Sequence, residues 1–291
     1  MRGCAAILGI LSLAATAVGG EYPRQLRAYL GKTPKLDGRI SPGEYDDATT
    51  ITGVRDWTPQ FAPTTDDRDL SLRGWVKHDG EKLYFAFEIT DDILYGIDTP
   101  RWLPDNNPRA HDLTRDGFPW FGDEMEILMN PPFRWSGNEN PQGSGRSWQM
   151  VCNLTKSRRG GIGQGGILEG EPRRDETAWN TYQRWIAEGA MDCAAAVVKK
   201  GVPGREPSVY VLEWAIRFNP CLEVEPGVYY SLAMGDRRMG LNLAVGDLDE
   251  PDRNTDNPFR FHHEDWWAGH RNTRTNLKDF GTLWIMSKPR P

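Results

Sequence analysis

The 291-residue chain has a globular composition, with 26% charged and 38% hydrophobic residues, and carries a formal net charge of -6. The acidic residues are dispersed along the chain, so no basic patch is available to neutralise nucleic-acid phosphates or anionic lipid headgroups. We therefore expect no nucleic-acid partner. We also expect no membrane insertion, because no segment reaches the roughly 18 consecutive apolar residues that a spanning helix requires.

The first twenty residues have the pattern of a secretory signal peptide. Arg2 precedes an apolar run from Cys4 to Ala17, and small residues follow up to Gly20. We expect cleavage near residue 20 and secretion to an extracellular or periplasmic compartment. Residues 21–291 contain no linker-like break, and we predict that they form a single domain.

Three cysteines lie beyond the signal, at Cys152, Cys193 and Cys221. Their spacing matches no metal motif, and an odd count leaves at least one thiol outside any intramolecular bridge. A disulfide between Cys193 and Cys221 is one possibility, and buried thiols are another.

The N-terminal part of the domain predicts a short strand and a hairpin. Residues 35–40 predict a short strand and an Asp-Gly turn, followed by a helical turn from Ser41. Apolar residues alternate over 70–76 and again over 83–90, with turn residues between them. This pattern predicts a β-hairpin with Leu83, Phe85, Phe87 and Ile89 facing inward. Residues 92–118 are polar and proline-rich, and we interpret them as a long functional loop.

Residues 119–130 combine aromatic residues, carboxylates and an alternating strand. Met125, Ile127 and Met129 face one side, and the intervening residues face the other, which predicts a half-buried strand that displays carboxylates on its outer face. Trp120 and Asp123 stand at its entrance. A flat aromatic ring beside a carboxylate can stack on a sugar ring and bind its hydroxyl groups.

Further strands are predicted over residues 147–153, 191–198, 210–218, 240–247 and 280–286, and no segment shows a long amphipathic helical stripe. Short strands, turn signals and long loops predict an all-β fold. We expect an antiparallel β-sandwich, of the jelly-roll or immunoglobulin-like two-sheet kind, with long loops.

The order of these motifs resembles carbohydrate-binding module family 9. The matching pieces are Leu36-Asp37-Gly38-Arg39-Ile40, Leu83 to Asp92, Trp120-x-x-Asp123-x-x-Glu126-Ile127, Val211 to Ile216, and Phe280-Gly281-Thr282-Leu283. The resemblance implies a β-sandwich that binds the ends of oligosaccharides or polysaccharides without catalysis, with structural calcium. Because no catalytic module is recognisable in the sequence, we expect the protein to work alone or together with a glycoside hydrolase in trans.

The resemblance also implies positions for a sugar site. Trp120 corresponds to the first of two clamping tryptophans, and Glu126 to a carboxylate that binds hydroxyl groups. Trp267 is the candidate for the second clamp, whereas we expect Trp266 to be a core residue. At two further contact positions of the family, one basic and one glutamine, this chain has Val151 and Ala244.

Calcium requires six to eight oxygen ligands, mostly carboxylates and carbonyls at loop positions. Acidic residues stand at several predicted strand ends, including Asp91, Asp92, Asp123 and the run from Asp247 to Asp252. The family resemblance favours Asp91 and Asp123 as the metal ligands.

Three other functions compete with sugar binding. Glu124 and Glu126 would be the carboxylates of a glycoside hydrolase, but neighbours on one strand do not flank a scissile bond. A haem site could use Met125 or Met150 with His111, since related sandwiches can hold haem. A purely structural or interaction domain on the same scaffold is the third alternative. Two weaker signals, a zinc site at His262, His263 and His270 and a Gly161-x-Gly163-x-x-Gly166 pattern, lack the required spacing or context.

Overall fold

The structure is a computed structural model that describes residues 24–59, 64–94, 123–133, 148–153, 185, 187–248, 262–269 and 280–291. The described residues form fourteen strands and very little helix. The strands are β1 (Gln25–Leu30), β2 (Thr49–Ile51), β3 (Thr58–Pro59), β4 (Leu70–His78), β5 (Lys82–Asp91), β6 (Glu124–Asn130), β7 (Trp148–Asn153), β8 (Met191–Lys199), β9 (Ser208–Arg217), β10 (Glu223–Glu225), β11 (Val228–Tyr229), β12 (Arg237–Leu248), β13 (His262–Trp266) and β14 (Gly281–Ile285).

Among the described residues, helical structure consists of short turns, and Trp185 and Ala187 also have helical backbone. One α-helical turn, α1, spans Phe218–Cys221, and 3-10 turns span Val54–Asp56 and Leu232–Met234. Within the described ranges, no helix has the length and apolar character needed to cross a membrane.

The strands build two layers joined by β1. Sheet A runs from β7 through β6 to β12, and β14 and β13 pair with successive parts of the far side of β12. Sheet B runs from β4 through β5 and β9 to β8, with β2 beside β4. The first part of β1 pairs with β14 and its last two residues pair with β4, both in parallel.

Every other strand pairing among the described residues is antiparallel, and β10 and β11 form a separate ribbon. The prediction of an all-β sandwich is therefore confirmed. The parallel pairing of β1 with β14 and β4 was not predicted. Alternation patterns do not reveal it, because it depends on where strands distant in sequence lie in the fold.

The predicted hairpin forms β4 and β5, which pair in continuous register from Leu70 opposite Asp91 to His78 opposite Leu83. Its inward residues Leu83, Phe85, Phe87 and Ile89 are fully buried in the core cluster between the sheets. The alternation arises because side chains along a strand point to opposite faces, so one apolar set is buried together.

The prediction for β6 is right about which side chains face the core and wrong about the solvent exposure of the opposite face. Met125, Ile127 and Met129 lie in the core between the sheets, as expected. The opposite face is also buried, and Leu128 packs there with Ala244, Trp266 and Phe280. Because β6 pairs on both sides, with β7 and β12, and is covered on both faces, its carboxylates are not displayed to solvent.

Residues 35–40 form an irregular loop and not the predicted strand. The backbone N–H groups of Asp37 and Gly38 donate to Oε2 of Glu213, at 3.0 and 2.7 Å, and the Tyr45 hydroxyl donates to Oε1 at 2.8 Å. Glu213 lies on the outer face of β9, where a buried carboxylate requires such donors. The loop therefore closes over sheet B to satisfy Glu213.

Gly281 creates space for a buried ring. A Cβ atom at this position would lie 2.7 Å from an indole carbon of Trp267 and 2.8 Å from the carbonyl oxygen of Arg24. We predict that Gly281→Ala lowers the free energy of unfolding by about 1–3 kcal/mol, the usual cost of overpacking. Denaturant melts would measure the change.

A double-mutant cycle with Trp267→Leu would test the cause. The smaller side chain should relieve part of the clash, so that the two costs are less than additive. An unchanged stability in Gly281→Ala, or full additivity with Trp267→Leu, would contradict the proposed contact.

Candidate functional site

Three buried aspartates terminate the apolar rows that face the interior. Asp91 in β5 and Asp247 in β12 stand two positions after the last interior apolar residues of their strands, and Asp123 stands two positions before Met125, the first interior residue of β6. Because the side-chain period of a strand is two, all three point into the space between the sheets. The core of the sandwich therefore ends in a cluster of carboxylates.

The three aspartates are 0% exposed, and one carboxylate oxygen from each lies within 4.8 Å of the others. Oδ1 of Asp91 accepts a hydrogen bond from the Ile93 N–H at 2.8 Å, and Oδ1 of Asp123 accepts one from the Leu248 N–H at 3.3 Å. Asp91 belongs to sheet B and the other two to sheet A, so the cluster connects the two layers.

The electrostatics of this cluster favour a cation. Burial raises the pKa of the neighbouring Tyr210 hydroxyl well above its usual range, and the negative charges of Asp123, Asp91 and Asp247 raise it further. Three carboxylates removed from water repel one another strongly unless positive charge compensates them. An all-oxygen donor set is what hard cations prefer, so these residues fit a metal ion.

Two of the three aspartates are those predicted from sequence. Asp91 and Asp123 lie together as expected, and Asp247 completes the cluster. The signal for Asp247 is the alternation of Met239 through Val245 in β12, which places residue 247 on the interior face.

Four residues lie at matching strand positions across sheet A, and three of them, Glu126, Ala244 and Trp266, are on its outer face. Glu126 in β6 lies opposite Val151 in β7 and opposite Ala244 in β12, and Ala244 lies opposite Trp266 in β13. Directly opposed residues on one face have Cβ atoms about 4.5–5.5 Å apart. The positions at which the family resemblance places sugar contacts are therefore neighbours in this fold.

Three glutamates share this face. Burial raises the pKa of Glu124 well above its usual range, and the negative charges of Glu126 and Glu264 raise it further. Glu126 is 2% exposed. Carboxyl groups beside an aromatic ring can bind hydroxyl groups. Because Glu124 and Glu126 project side by side from one strand, they do not have the facing arrangement of a glycosidase pair.

The two adjacent tryptophans at the end of β13 lie on opposite faces. Trp266 is buried on the outer face with Leu128, Ala244 and Phe280. Trp267 is 5% exposed and packs in the core between the sheets, against Gly281. Hydrogen bonds hold this chain segment, since the Trp267 N–H donates to the Leu243 carbonyl at 2.9 Å and the Ala268 N–H donates to the Asn242 side chain at 3.0 Å.

The structure thus separates Trp267 from Glu126, which the sequence prediction placed in one site. The residue of this pair that shares a face with Glu126 is Trp266. It is buried, as expected for a core residue, although it lies outside the main core. Trp120 lies outside the described residues, and its role stays a prediction.

The residues considered for haem, zinc and dinucleotide binding lie in different parts of the chain. Met125 and Met150 are fully buried in the core, where they fill space between the sheets. His111, His270 and Gly161 to Gly166 lie outside the described residues. His262 and His263 lie in β13.

Comparisons with known proteins identify the fold. No protein-family model matches the sequence, and no curated protein matches it. A carbohydrate-binding module family 9 domain from Caldicellulosiruptor kristjanssonii, solved with glucose, aligns over 92% of this chain and 97% of its own length, with a TM-score of 0.51 and 13% identity. A structure of a family 9 module from the same organism with cellotriose gives a TM-score of 0.52 and 12% identity, over 92% of this chain and 95% of that one.

This chain has the fold of family 9 carbohydrate-binding modules. The structure of a proposed carbohydrate-binding protein from Bacteroides uniformis also aligns over 90% of this chain and 99% of its own length, with a TM-score of 0.48 and 12% identity. The family 9-like fold predicted from the order of the sequence motifs is confirmed by the two family 9 structures.

The aspartate cluster predicts a metal-dependent stability. Stripping divalent cations with a chelator should lower the Tm by on the order of 5–10 °C, because a ligand that binds only the folded state stabilises it. Asp247→Asn should abolish the difference between chelated and metal-loaded protein, and differential scanning calorimetry would measure it.

Glu225→Gln is a suitable control, since Glu225 is an exposed carboxylate in the β10–β11 ribbon. This variant should keep the full response to the chelator. Elemental analysis of the purified protein provides a second measurement. Absence of any bound divalent metal, together with an unchanged Tm in chelator, would rule out the metal site.

Proposed function

We propose that the protein is a secreted, non-catalytic carbohydrate-binding protein that recognises the ends of oligosaccharides or polysaccharides. The observation that carries the proposal is the outer face of sheet A, where Glu126 lies one strand away from Ala244 and two from Trp266. The fold supports it, because two structures with this fold are family 9 modules in complex with glucose and with cellotriose.

In this proposal Trp120 provides the stacking surface at the entrance to β6. An aromatic face attracts the C–H patches of a sugar ring, and a fixed carboxylate accepts hydrogen bonds from its hydroxyl groups. Glu126 is six residues beyond Trp120 and supplies that carboxylate.

Binding requires a local rearrangement above Glu126. The side chain is only 2% exposed, so a sugar hydroxyl reaches it only if the groups that now cover it move aside. Small side-chain and loop movements of this kind are common when ligands bind. The low dielectric around Glu126 would in turn strengthen the hydrogen bond that it accepts.

The second aromatic surface is proposed to be Trp266 or Trp267, and the placement of the two favours Trp266. Trp266 already shares the face with Glu126. Trp267 would have to leave the core and its place beside Gly281 to contact a sugar.

Sugar binding is tested by calorimetry with glucose, cellotriose and a panel of other oligosaccharides. We predict that Trp120→Ala weakens binding at least about tenfold through loss of buried aromatic area. Glu126→Gln should weaken it by about 10–100-fold, the value of a hydrogen bond to a charged group. Tyr229→Ala, in the separate β10–β11 ribbon, serves as the aromatic control and should bind normally.

A further variant separates the roles of the tryptophan pair. If Trp267 is a core residue only, Trp267→Phe lowers the Tm and leaves the affinity unchanged; if it clamps the sugar, the affinity falls as well. Failure of the natural protein to bind any sugar in the panel, with calcium present, would refute the proposal and leave the structural or interaction domain in its place.

We further propose that the ion of the aspartate cluster is calcium. Three carboxylates, from β5, β12 and the residue just before β6, suit a cation that accepts six to eight oxygens at about 2.3–2.6 Å in flexible geometry. Magnesium requires a smaller octahedral site, and zinc prefers nitrogen and sulfur ligands. The ion would have a structural role, linking Asp91 of sheet B to Asp123 and Asp247 of sheet A.

Metal selectivity tests this assignment. Added to chelator-treated protein, calcium should restore the Tm at a lower concentration than magnesium, and zinc should not restore it. Restoration by zinc at the lowest concentration would exclude calcium as the resident ion. Because this readout is thermal stability, it is independent of whether any sugar binds.

A further inference from the structure

Two cysteines meet at one edge of the sandwich. Sγ of Cys152 and Sγ of Cys193 lie 2.9 Å apart, and both residues are thiols in this structure. Cys152 lies in β7, which ends the described part of sheet A, and Cys193 lies in β8, which ends the described part of sheet B. The contact therefore joins the last strands of two different sheets.

Strand register explains why the two side chains meet. Cys152 is opposite Met125, and Cys193 is opposite Trp214. Met125 and Trp214 both face the interior, and directly opposed residues share a face. Both cysteines therefore point into the gap between the sheets, where Cys152 is fully buried and Cys193 is partly exposed.

We propose that Cys152 and Cys193 form a disulfide bond that covalently links sheet A to sheet B. A covalent S–S bond is about 2.05 Å long, so the two sulfurs need to approach only slightly. The bond would close the chain between residues 152 and 193, which lie 41 positions apart. Loops of this length gain substantial stability from a cross-link, because the unfolded chain loses conformational freedom.

Cys221 makes a different contact. Its sulfur lies 3.6 Å from the carbonyl oxygen of Ala190, at the end of α1, and it is buried there. The bridge between Cys193 and Cys221, open on sequence grounds, is therefore replaced by one between Cys193 and Cys152. Cys221 stays a thiol.

The oxidation is a thiol–disulfide exchange with a small-molecule disulfide such as oxidised glutathione. The Cys193 thiolate attacks one sulfur of that disulfide, forms a mixed disulfide and releases one reduced thiol. The Cys152 thiolate then attacks the Cys193 sulfur and expels the second thiol. Two protein thiols lose two electrons and two protons, and the reagent disulfide is reduced to two thiols.

The order of attack follows from exposure, because Cys193 is the more accessible of the two. Burial raises the pKa of the Cys193 thiol well above its usual range, and the hydrogen bond with Cys152 raises it further. Little thiolate therefore exists in the folded state, and exchange is slow there. The bond is expected to form fastest while the chain folds in an oxidising compartment, before the sheets close over the pair.

The test compares the full-length protein refolded with oxidised glutathione and with a reducing agent. Non-reducing peptide mapping should find a peptide that joins Cys152 to Cys193, and the thiol titre of the denatured protein should fall by two on oxidation. The Tm of the oxidised form should exceed that of the reduced form by on the order of 5–15 °C.

Single cysteine substitutions show which two cysteines produce the difference in Tm. Cys152→Ser and Cys193→Ser should each remove the difference in Tm between oxidising and reducing conditions, whereas Cys221→Ser should retain it. Because the wild-type comparison needs no substitution, instability of a variant cannot obscure the result. A linked peptide joining Cys193 to Cys221, or no linked peptide after refolding with oxidised glutathione, would overturn the proposal.

Discussion

Burial of negative charge at the end of an apolar core is the constraint on which this structure depends. Asp91, Asp123 and Asp247 occupy positions that alternation assigns to the interior, next to interior positions that are held by apolar residues. Apolar burial provides most of the driving force that brings the sheets together, and it is non-directional. The carboxylates oppose that burial unless a cation compensates them, so a cation would convert an unfavourable end of the core into a specific connection between sheets.

Strand β6 links this constraint to the proposed ligand face. Asp123 precedes the strand and points inward, whereas Glu126 lies on the outer face of sheet A. An ion held by Asp123 would fix the start of β6, and the side-chain period of two then determines the side on which Glu126 lies. A one-residue slip would exchange the faces of every side chain in the strand. The metal site would thus preorganise the sugar-binding face without any contact with the sugar.

Much of the fold was predictable from local pattern, because alternation reports directly on which face is buried. The hairpin of β4 and β5 and the inward face of β9 followed from it. The loop at residues 35–40 could not be predicted in this way, because its shape depends on Glu213, which lies more than 170 positions away in sequence. Short strands such as β3 also carry too few residues to show a period.

The candidate site shows the same division between local and distant information. Asp91 and Asp123 were predictable because both stand at the ends of predicted strands, and the family resemblance favoured them as metal ligands. The assignment of Trp266 and Trp267 to faces depends on where β13 ends, and adjacent residues of a strand always point opposite ways. The contact between Cys152 and Cys193 depends on the order of strands in both sheets, which no spacing along the chain reveals.

If the outer face binds sugars as proposed, its composition would restrict which sugars it accepts. The resemblance places a basic contact and a glutamine beside Glu126, and this chain has Val151 and Ala244 there, which offer neither charge nor hydrogen-bonding groups. Glu124, Glu126 and Glu264 lie close enough for their charges to affect one another. Such a face would repel the carboxylates of acidic sugars, since like charges in a low-dielectric setting oppose one another. It can accept hydrogen bonds from neutral hydroxyl groups, so stacking and carboxylate–hydroxyl contacts would provide the affinity that the missing basic residue supplies elsewhere.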